Sequence, residues 1–207
     1  MKFLRLIIGL QISLWLIACS PPVIKEDVGA KLNWKQQQQK LSTLQQWSIK
    51  GRIAVQTEDN GGQADFTWQL RDLLNYDIRL QAPLGAGTTW ISSRAQGVSL
   101  KTSSGDEMYD TDVDSLMLRL NGWPLPVSGL RYWVRGLPSP TSKFEVTEWN
   151  DNGLPAVIKQ DGWRIEFRKH KQVSGQVLPK KLFINRLGQD EEVDVRLIIR
   201  QWVLDRV

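Results

Sequence analysis

The sequence predicts a mainly β, antiparallel fold: a highly curved sheet or barrel with helices laid over it. Three observations carry this. From Trp47 onward apolar residues recur at every second position, as on strands with one buried and one wet face. Turn residues punctuate the alternation at intervals of roughly 8–12 residues. Between 112 and 137 the apolar spacing changes to three and four, which places two helices in mid-chain.

In chain order, Trp34, Leu41 and Leu44 form one weak helical stripe within 31–46, and Gln36 to Gln39 read as helix formers on its polar face, with no function attached. Ile49, Ile53 and Val55 alternate with polar residues up to the turn-forming Glu58 to Gly62. Ala64, Phe66, Trp68 and Leu70 answer them, so the pair is a hairpin. Tyr76, Ile78 and Leu80 continue the pattern, with further strands at 88–94 and 97–102. Asp110, Asp112 and Asp114 then crowd a helix start, followed by Val113, Leu116, Met117 and Leu120 on one face and a stop at Asn121-Gly122. A second short helix starts at Pro126, presents Val127, Leu130 and Val134 beside Trp133, and ends at Gly136. Strands resume at Phe144 and Val146, at 156–160, and after an Asp161-Gly162 turn at Trp163, Ile165 and Phe167. Lys171 to Pro179 reads as a loop. Leu182 and Ile184 mark another strand, and Val193 to Ile199 a last long one whose phase shifts before Trp202 and Leu204, as at a bulge. This makes nine or ten strands.

With 207 residues and 41% hydrophobic content the chain can bury one real core. Met1 to Ala18 opens with Lys2 and Arg5 and continues in an apolar run shorter than the roughly 20 residues a membrane-spanning helix needs, so it reads as a secretory leader. Leu16-Ile17-Ala18-Cys19 has the form of a bacterial lipobox, and Cys19 is the only cysteine. Cys19 is therefore expected to carry the N-acyl and S-diacylglycerol groups of a lipid anchor. Ser20, where aspartate would retain a lipoprotein on the inner membrane, favours the periplasmic face of the outer membrane. The organisation that follows is a leader at 1–18, an anchor and tether at 19–30, and a single domain at 31–207. Removing Lys2 and Arg5 with the leader lowers the formal net charge of +5 by two. The remaining basic residues are spread along the chain, so nucleic acid is not an expected partner.

The residue inventory is poor in chemistry. One histidine, no nucleophile elbow, no phosphate-cradling loop and no metal-ligand spacing leave only carboxylates, and pairs such as Asp110/Asp112 and Glu191/Glu192 read as a helix cap and a turn. His170 reads as a surface residue. No catalytic residue, metal or cofactor is expected. Apolar bulk stands out instead: the ten tryptophans, among them Trp68, Trp90, Trp123, Trp133, Trp163 and Trp202, either pack a solid core or line a hollow one. The uncharged loop Ala82-Pro83-Leu84-Gly85-Ala86-Gly87 is the second oddity. Leu84 either folds onto the sheet edge or projects as an apolar probe.

Gly122-Trp123-Pro124-Leu125-Pro126-Val127, Leu130-Arg131-Tyr132-Trp133-Val134-Arg135-Gly136-Leu137-Pro138, Gln160-Asp161-Gly162-Trp163 and Leu178-Pro179, in this order, closely resemble the outer-membrane lipoprotein receptor family LolB, from about Trp34 to Trp202. The resemblance implies an unclosed antiparallel β-barrel with an α-helical lid enclosing an apolar cavity. It also implies a function: accepting acylated lipoproteins from the soluble periplasmic carrier LolA and inserting them into the inner leaflet of the outer membrane, with no covalent step. On this resemblance Leu84 is the exposed membrane-insertion leucine. Phe66, Trp68, Ile78, Leu80 and Trp163 from the sheet and Leu116, Leu120 and Trp133 from the lid are the candidates for the wall around the acyl chains. The partners are then the carrier, client acyl chains and outer-membrane lipid, and the chain acts as a monomer. A carrier of glycolipid or another amphiphile, and a structural lipoprotein with a solid core, are the other readings open to the sequence.

Overall fold

The computed structural model describes residues 33–121, 125–186 and 192–204; the leader, Cys19, the tether, Trp123 and Glu191 lie outside them. The first helix, α1 (Trp34–Ser42), starts where the Asn33 side chain accepts the Gln36 N–H. Its buried face carries Leu41, and Gln37 fills the position between Trp34 and Leu41 that the apolar stripe left empty. Gln37 is buried and donates from Nε2 to the Val177 carbonyl at 3.1 Å, so one glutamine of the polar run pins the helix to the sheet.

Eleven strands make one antiparallel sheet: β1 (Trp47–Thr57), β2 (Gly61–Leu70), β3 (Tyr76–Gln81), β4 (Thr88–Arg94), β5 (Gly97–Thr102), β6 (Glu107–Asp110), β7 (Phe144–Trp149), β8 (Pro155–Gln160), β9 (Trp163–Val173), β10 (Gln176–Arg186) and β11 (Val193–Leu204). The spatial order is β6-β5-β4-β3-β2-β1-β11-β10-β9-β8-β7. Two meanders are thus joined where β11 returns beside β1, and β6 and β7 are left as unpaired edges, so the barrel is not closed. Between these edges the chain passes through α2 (Val113–Asn121) and α3 (Val127–Trp133), which carry it from one side of the sheet to the other as a lid.

Alternation decides which face the lid covers. Trp47, Ile49, Phe66, Trp68, Leu70, Ile78, Ile91, Leu100, Ile165, Leu182, Ile184 and Val195 point inward and join Leu116, Met117, Leu130 and Trp133 of the lid in one buried cluster. At its centre Trp47 meets Trp68 edge-on at 5.3 Å and Trp202 at 5.6 Å between ring centroids. Such pairs contribute about 0.5–1.5 kcal/mol each beyond burial. Trp90 departs from the core reading: it lies on the outer face and is 40% exposed.

Two strand expectations change. The expected loop at Lys171 to Pro179 is a hairpin, because Ser174 and Gly175 both take positive φ (49° and 78°) and make the tight two-residue turn that matches strand twist. Pro179 is tolerated within β10 because the register shifts there, between Pro179 and Lys181. The strand missing from the sequence reading is β6, a four-residue edge too short to show a period. The phase shift in the last strand is a bulge: Gly51 faces Ile199, Lys50 faces Gln201, and Arg200 is the extra residue.

At this bulge Gly51 has no room for a side chain, since a Cβ there meets the Ile198 carbonyl oxygen at 2.0 Å and the Phe66 ring at 2.8 Å. Gly51→Ala is therefore expected to destabilise the domain by about 3 kcal/mol, read as a lowered urea midpoint. Gly62→Ala, where nothing lies within 4 Å, changes it little.

Candidate functional site

The lid does not cover the whole concave face. At the end of the sheet where β2 turns into β3, a cavity of about 910 Å³ opens to solvent. Its walls come from the second half of α1 and Leu44 and Gln45 after it, from Leu70, Asp72, Leu73 and Leu74 at the β2–β3 turn, from Tyr132 and Arg135 of the lid, from Leu137 to Pro140 and Ser142, and from Phe144 at the start of β7. The lining is mainly apolar, and its volume lies at the upper end of the roughly 300–1,000 Å³ of small-ligand sites.

A few polar anchors keep this mouth in shape. Arg135 is buried, and among the described residues no carboxylate pairs with it. Its guanidinium donates to the carbonyls of Leu44 (2.9 Å), Leu41 (3.4 Å) and Arg131 (3.2 Å) and lies 5.3 Å from the Tyr132 ring centroid. The C-terminal end of α1, where unpaired carbonyls accumulate negative potential, thus replaces the missing counter-ion. Burial lowers the Arg135 pKa to about 10, and the group stays charged at neutral pH. Gln160, also buried, accepts the Trp133 indole N–H at 3.0 Å and the Ser139 N–H at 2.8 Å, and returns a bond to the Ser139 carbonyl at 2.8 Å. It ties lid helix, rim segment and sheet together. On the far rim Asp72 accepts the N–H groups of Leu74 and Asn75, while Arg131 holds the Leu73 carbonyl at 3.0 Å. Leu73 and Leu74 are thereby presented to solvent, both more than half exposed.

The expected wall residues lie elsewhere. Phe66, Trp68, Ile78, Leu116, Trp133 and Trp163 are buried in the packed cluster between sheet and lid, with Leu80 and Leu120 against its margin, and none of the eight lines the open cavity. They are nevertheless brought together. Leu70 pairs with Tyr76, Trp68 with Ile78 and Phe66 with Leu80 across β2 and β3, so an apolar ladder runs from the cavity wall at Leu70 to the opposite end of the strands.

At that opposite end is Leu84, and the structure settles its two readings. It projects. Pro83, Leu84 and Gly85 form a single tight turn, closed at its base by Ala82 N–H to the Gly87 carbonyl and by the Thr88 N–H on Ser103 Oγ. Leu84 takes φ 55°, a left-handed conformation disfavoured for leucine by about 1–2 kcal/mol, and its relative exposure is 107%. Leu74 precedes β3 and Leu84 follows it, so the mouth and this probe are separated by the strand, about 17 Å.

The acidic groups serve structure. Asp112 caps α2 through the Ser115 N–H at 2.8 Å, and Asp110 binds the Thr111 N–H and pairs with Arg119 at 2.9 Å. Asp114 crosses to the first turn of α3, accepting from the Ser128 N–H and hydroxyl, while burial raises its pKa. His170 is not the surface residue expected. It packs on Phe167, 6.2 Å between ring centroids, in the crevice under α1, and burial lowers its pKa to about 4. Among the described residues no group of three or more potential ligands could hold a metal ion, and no helix is long and apolar enough to cross a membrane.

Sequence reasoning missed Arg135, Gln160 and the rim leucines. The signal for Leu73 and Leu74 was present: an apolar pair in a strand-to-strand turn, the same anomaly that singled out Leu84.

The family profile described as "Outer membrane lipoprotein LolB" matches residues 45–202. Among similar proteins, the outer-membrane lipoprotein LolB of Pseudomonas syringae pv. syringae is 36% identical over 203 residues, covering 97% of this chain and 96% of that one. The LolB of Alkalilimnicola ehrlichii is 36% identical over 201 residues, covering 97% of each. Among solved structures, a LolA superfamily protein from Nitrosomonas europaea shares the fold with a TM-score of 0.54 at 6% identity, over 85% of this chain and 95% of that one. A putative outer membrane lipoprotein-sorting protein domain from Vibrio parahaemolyticus does so with a TM-score of 0.52 at 8% identity, over 83% and 90%.

Two outcomes follow from the anchors. Arg135→Met removes the donors that hold the end of α1, and amide exchange in α1 is expected to accelerate while the strands keep their protection. His170 is neutral when folded and has an ordinary pKa of 6.5 when unfolded, so its contribution is complete above pH 6.5 and is lost as pH falls toward 4. Across that interval stability should drop by up to roughly 3 kcal/mol, and the slope should flatten in His170→Phe, as measured by denaturant titration at each pH.

Proposed function

The chain belongs to the LolB family of outer-membrane lipoproteins, and from that premise we propose that it takes acylated lipoproteins from the periplasmic carrier LolA and releases them into the inner leaflet of the outer membrane. Its work is lipoprotein localisation, and Cys19 is the residue proposed to hold it on the membrane. The observation that supports the transfer reading best is the 910 Å³ apolar cavity placed at the head of the Leu70-Trp68-Phe66 ladder.

The physics is a relay of apolar burial. Each methylene exposed to water costs about 0.8 kcal/mol, so a client with several acyl chains cannot travel unaided, and the chains must pass directly from one apolar site to the next. In this reading the mouth at Leu73, Leu74 and Phe144 meets the carrier. The chains enter beside Leu44 and Leu137 and advance along the ladder as the lid gives way. Phe66, Trp68, Ile78 and Leu80 form the sheet side of that path; Leu116, Leu120 and Trp133 cover it from the lid, and Trp163 closes it from β9. The eight residues act as a packed interior in the empty protein and as a wall in the loaded one. A step of about 1.4 kcal/mol in affinity at each hand-over gives tenfold bias toward the membrane, so the direction needs no nucleotide and no bond is made or broken.

Leu84 acts last in this reading, entering the leaflet at the far end of the ladder. Carrier loaded with a labelled lipoprotein, mixed with this protein and then with vesicles, separates the steps. Unmodified protein is expected to acquire the label without nucleotide and to pass it on. Leu84→Glu is expected to acquire it equally and to deliver it at least about tenfold more slowly, because a charge at the membrane contact opposes insertion. Equal loss of both steps contradicts the assignment of Leu84, and label that stays on an active carrier contradicts the receptor reading.

A further inference from the structure

We infer that the outer face of β3 and β4 beside the Leu84 loop is a phospholipid headgroup site, with Trp90 and Arg79 as its contacts, which fixes how deep and in which orientation the protein meets the leaflet. The inference rests on the membrane-delivery reading and adds residues that reading does not use. Arg79 and Trp90 lie directly opposite each other on β3 and β4, and Trp90 lies opposite Lys101 on β5. Their neighbours Ile78, Ile91 and Leu100 are buried, so all three side chains belong to the outward face. The same cross-strand row continues through Thr67 of β2 to Lys50 of β1.

Burial does not account for this row. Trp90 is a large indole 40% exposed between two charged cross-strand neighbours, Arg79 and Lys101, and the one other aromatic on the outward face of β3 to β6 is Tyr109 on the edge strand. Among the described residues neither Arg79 nor Lys50 has a carboxylate partner. The acids on this face are already engaged: Asp77 by Arg71 at 2.6 Å and Arg94 at 2.8 Å, Asp65 by Arg52 at 3.1 Å and Arg200 at 3.3 Å, and Glu107 by Lys101 at 2.6 Å. A free Arg79 beside an exposed indole, with Lys50 further along the row, suits a surface of phosphate oxygens over glycerol and acyl chain, where an amphipathic ring is at its most stable.

Position supports the same occupant. Leu84 is joined to both strands by the shortest route, and Arg79 and Trp90 are each about three strand residues, or roughly 10 Å, from the loop. The polar layer on one side of a bilayer is roughly 5–8 Å deep. With Leu84 inserted about 4 Å below the hydrocarbon boundary, Trp90 and Arg79, roughly 10 Å up the strands, lie within the polar layer at the level of the phosphates.

The full-length lipidated chain, reconstituted in phosphatidylethanolamine–phosphatidylglycerol vesicles with bromine on the acyl chains close to the headgroup, tests this. Subtracting the fluorescence of Trp90→Phe isolates Trp90 from the other eight tryptophans that remain once the leader, with Trp15, is removed. Most of that component should be lost to the brominated lipid, less when the bromine is deep in the bilayer, and the loss should shrink in Arg79→Glu. An unchanged Trp90 component in brominated and plain vesicles overturns the proposal. So does a Trp90→Ser defect confined to acceptance from the carrier, which assigns the face to protein docking. Client delivery followed in the same vesicles keeps the two readings apart: delivery without Trp90 quenching discards the headgroup site alone, whereas quenching without delivery discards the receptor reading and keeps the lipid contact.

Discussion

An eleven-stranded sheet whose two edge strands do not meet leaves an apolar concave face that must be covered, and everything else in this structure answers that requirement. The face cannot be covered by closing the barrel, since β6 and β7 are not paired with each other. The chain instead carries α2 and α3 across the opening between those edges. A lid made this way has no backbone ladder to the sheet; it is held by side-chain burial and by a few polar anchors.

Those anchors are unusual in kind. Arg135 meets carbonyl oxygens and an aromatic ring rather than a carboxylate, and Gln160 joins an indole, a rim segment and a strand through one amide. Neither is a strong ion pair. Hydrogen bonds of this type contribute about 1 kcal/mol each, or somewhat more when charged, so the lid is fastened at a few points that can open one by one. In the proposed transfer the packed tryptophan cluster, which adjoins the open cavity, is the volume that gives way to the acyl chains. Leu74 and Leu84 stand at opposite ends of β3, and the proposed path takes its direction from that separation.

The fold was legible because its strands alternate cleanly. Period two from Trp47 onward, the Asp161-Gly162 turn and the helical spacing at Val113 to Leu120 each placed an element close to where it lies. Legibility failed where tertiary contacts override local signals. Pro179 in an apparent loop belongs to a strand because a register shift removes the need for its N–H, and β6 is too short to show any period. The site divides the same way. Leu84 stood out because apolar residues in uncharged turns are anomalous, but the turn alone left its direction open and only the family resemblance favoured the exposure that the structure has. Arg135 and Gln160 gave no such sign: each acts through partners distant in sequence, Leu41 lying 94 residues from Arg135 and Ser139 21 from Gln160, and an isolated arginine after a helix reads as a solvated end. The wall candidates share one buried cluster or its margin, but strand phase does not say whether the volume they enclose is occupied.

The account turns on whether acyl chains travel through the interior from the mouth at Leu137 to the far end at Leu80. The most direct measurement places a photoreactive residue at Leu137 in one variant and at Leu80 in another, loads each from carrier with an acyl-labelled lipoprotein, and follows crosslinks as vesicles are added. The account predicts adducts at both positions in the loaded protein, with both lost once the client enters the vesicles. A loaded protein that forms an adduct at neither position, yet still delivers its client, would contradict it, because the chains would then be carried outside the sheet and lid.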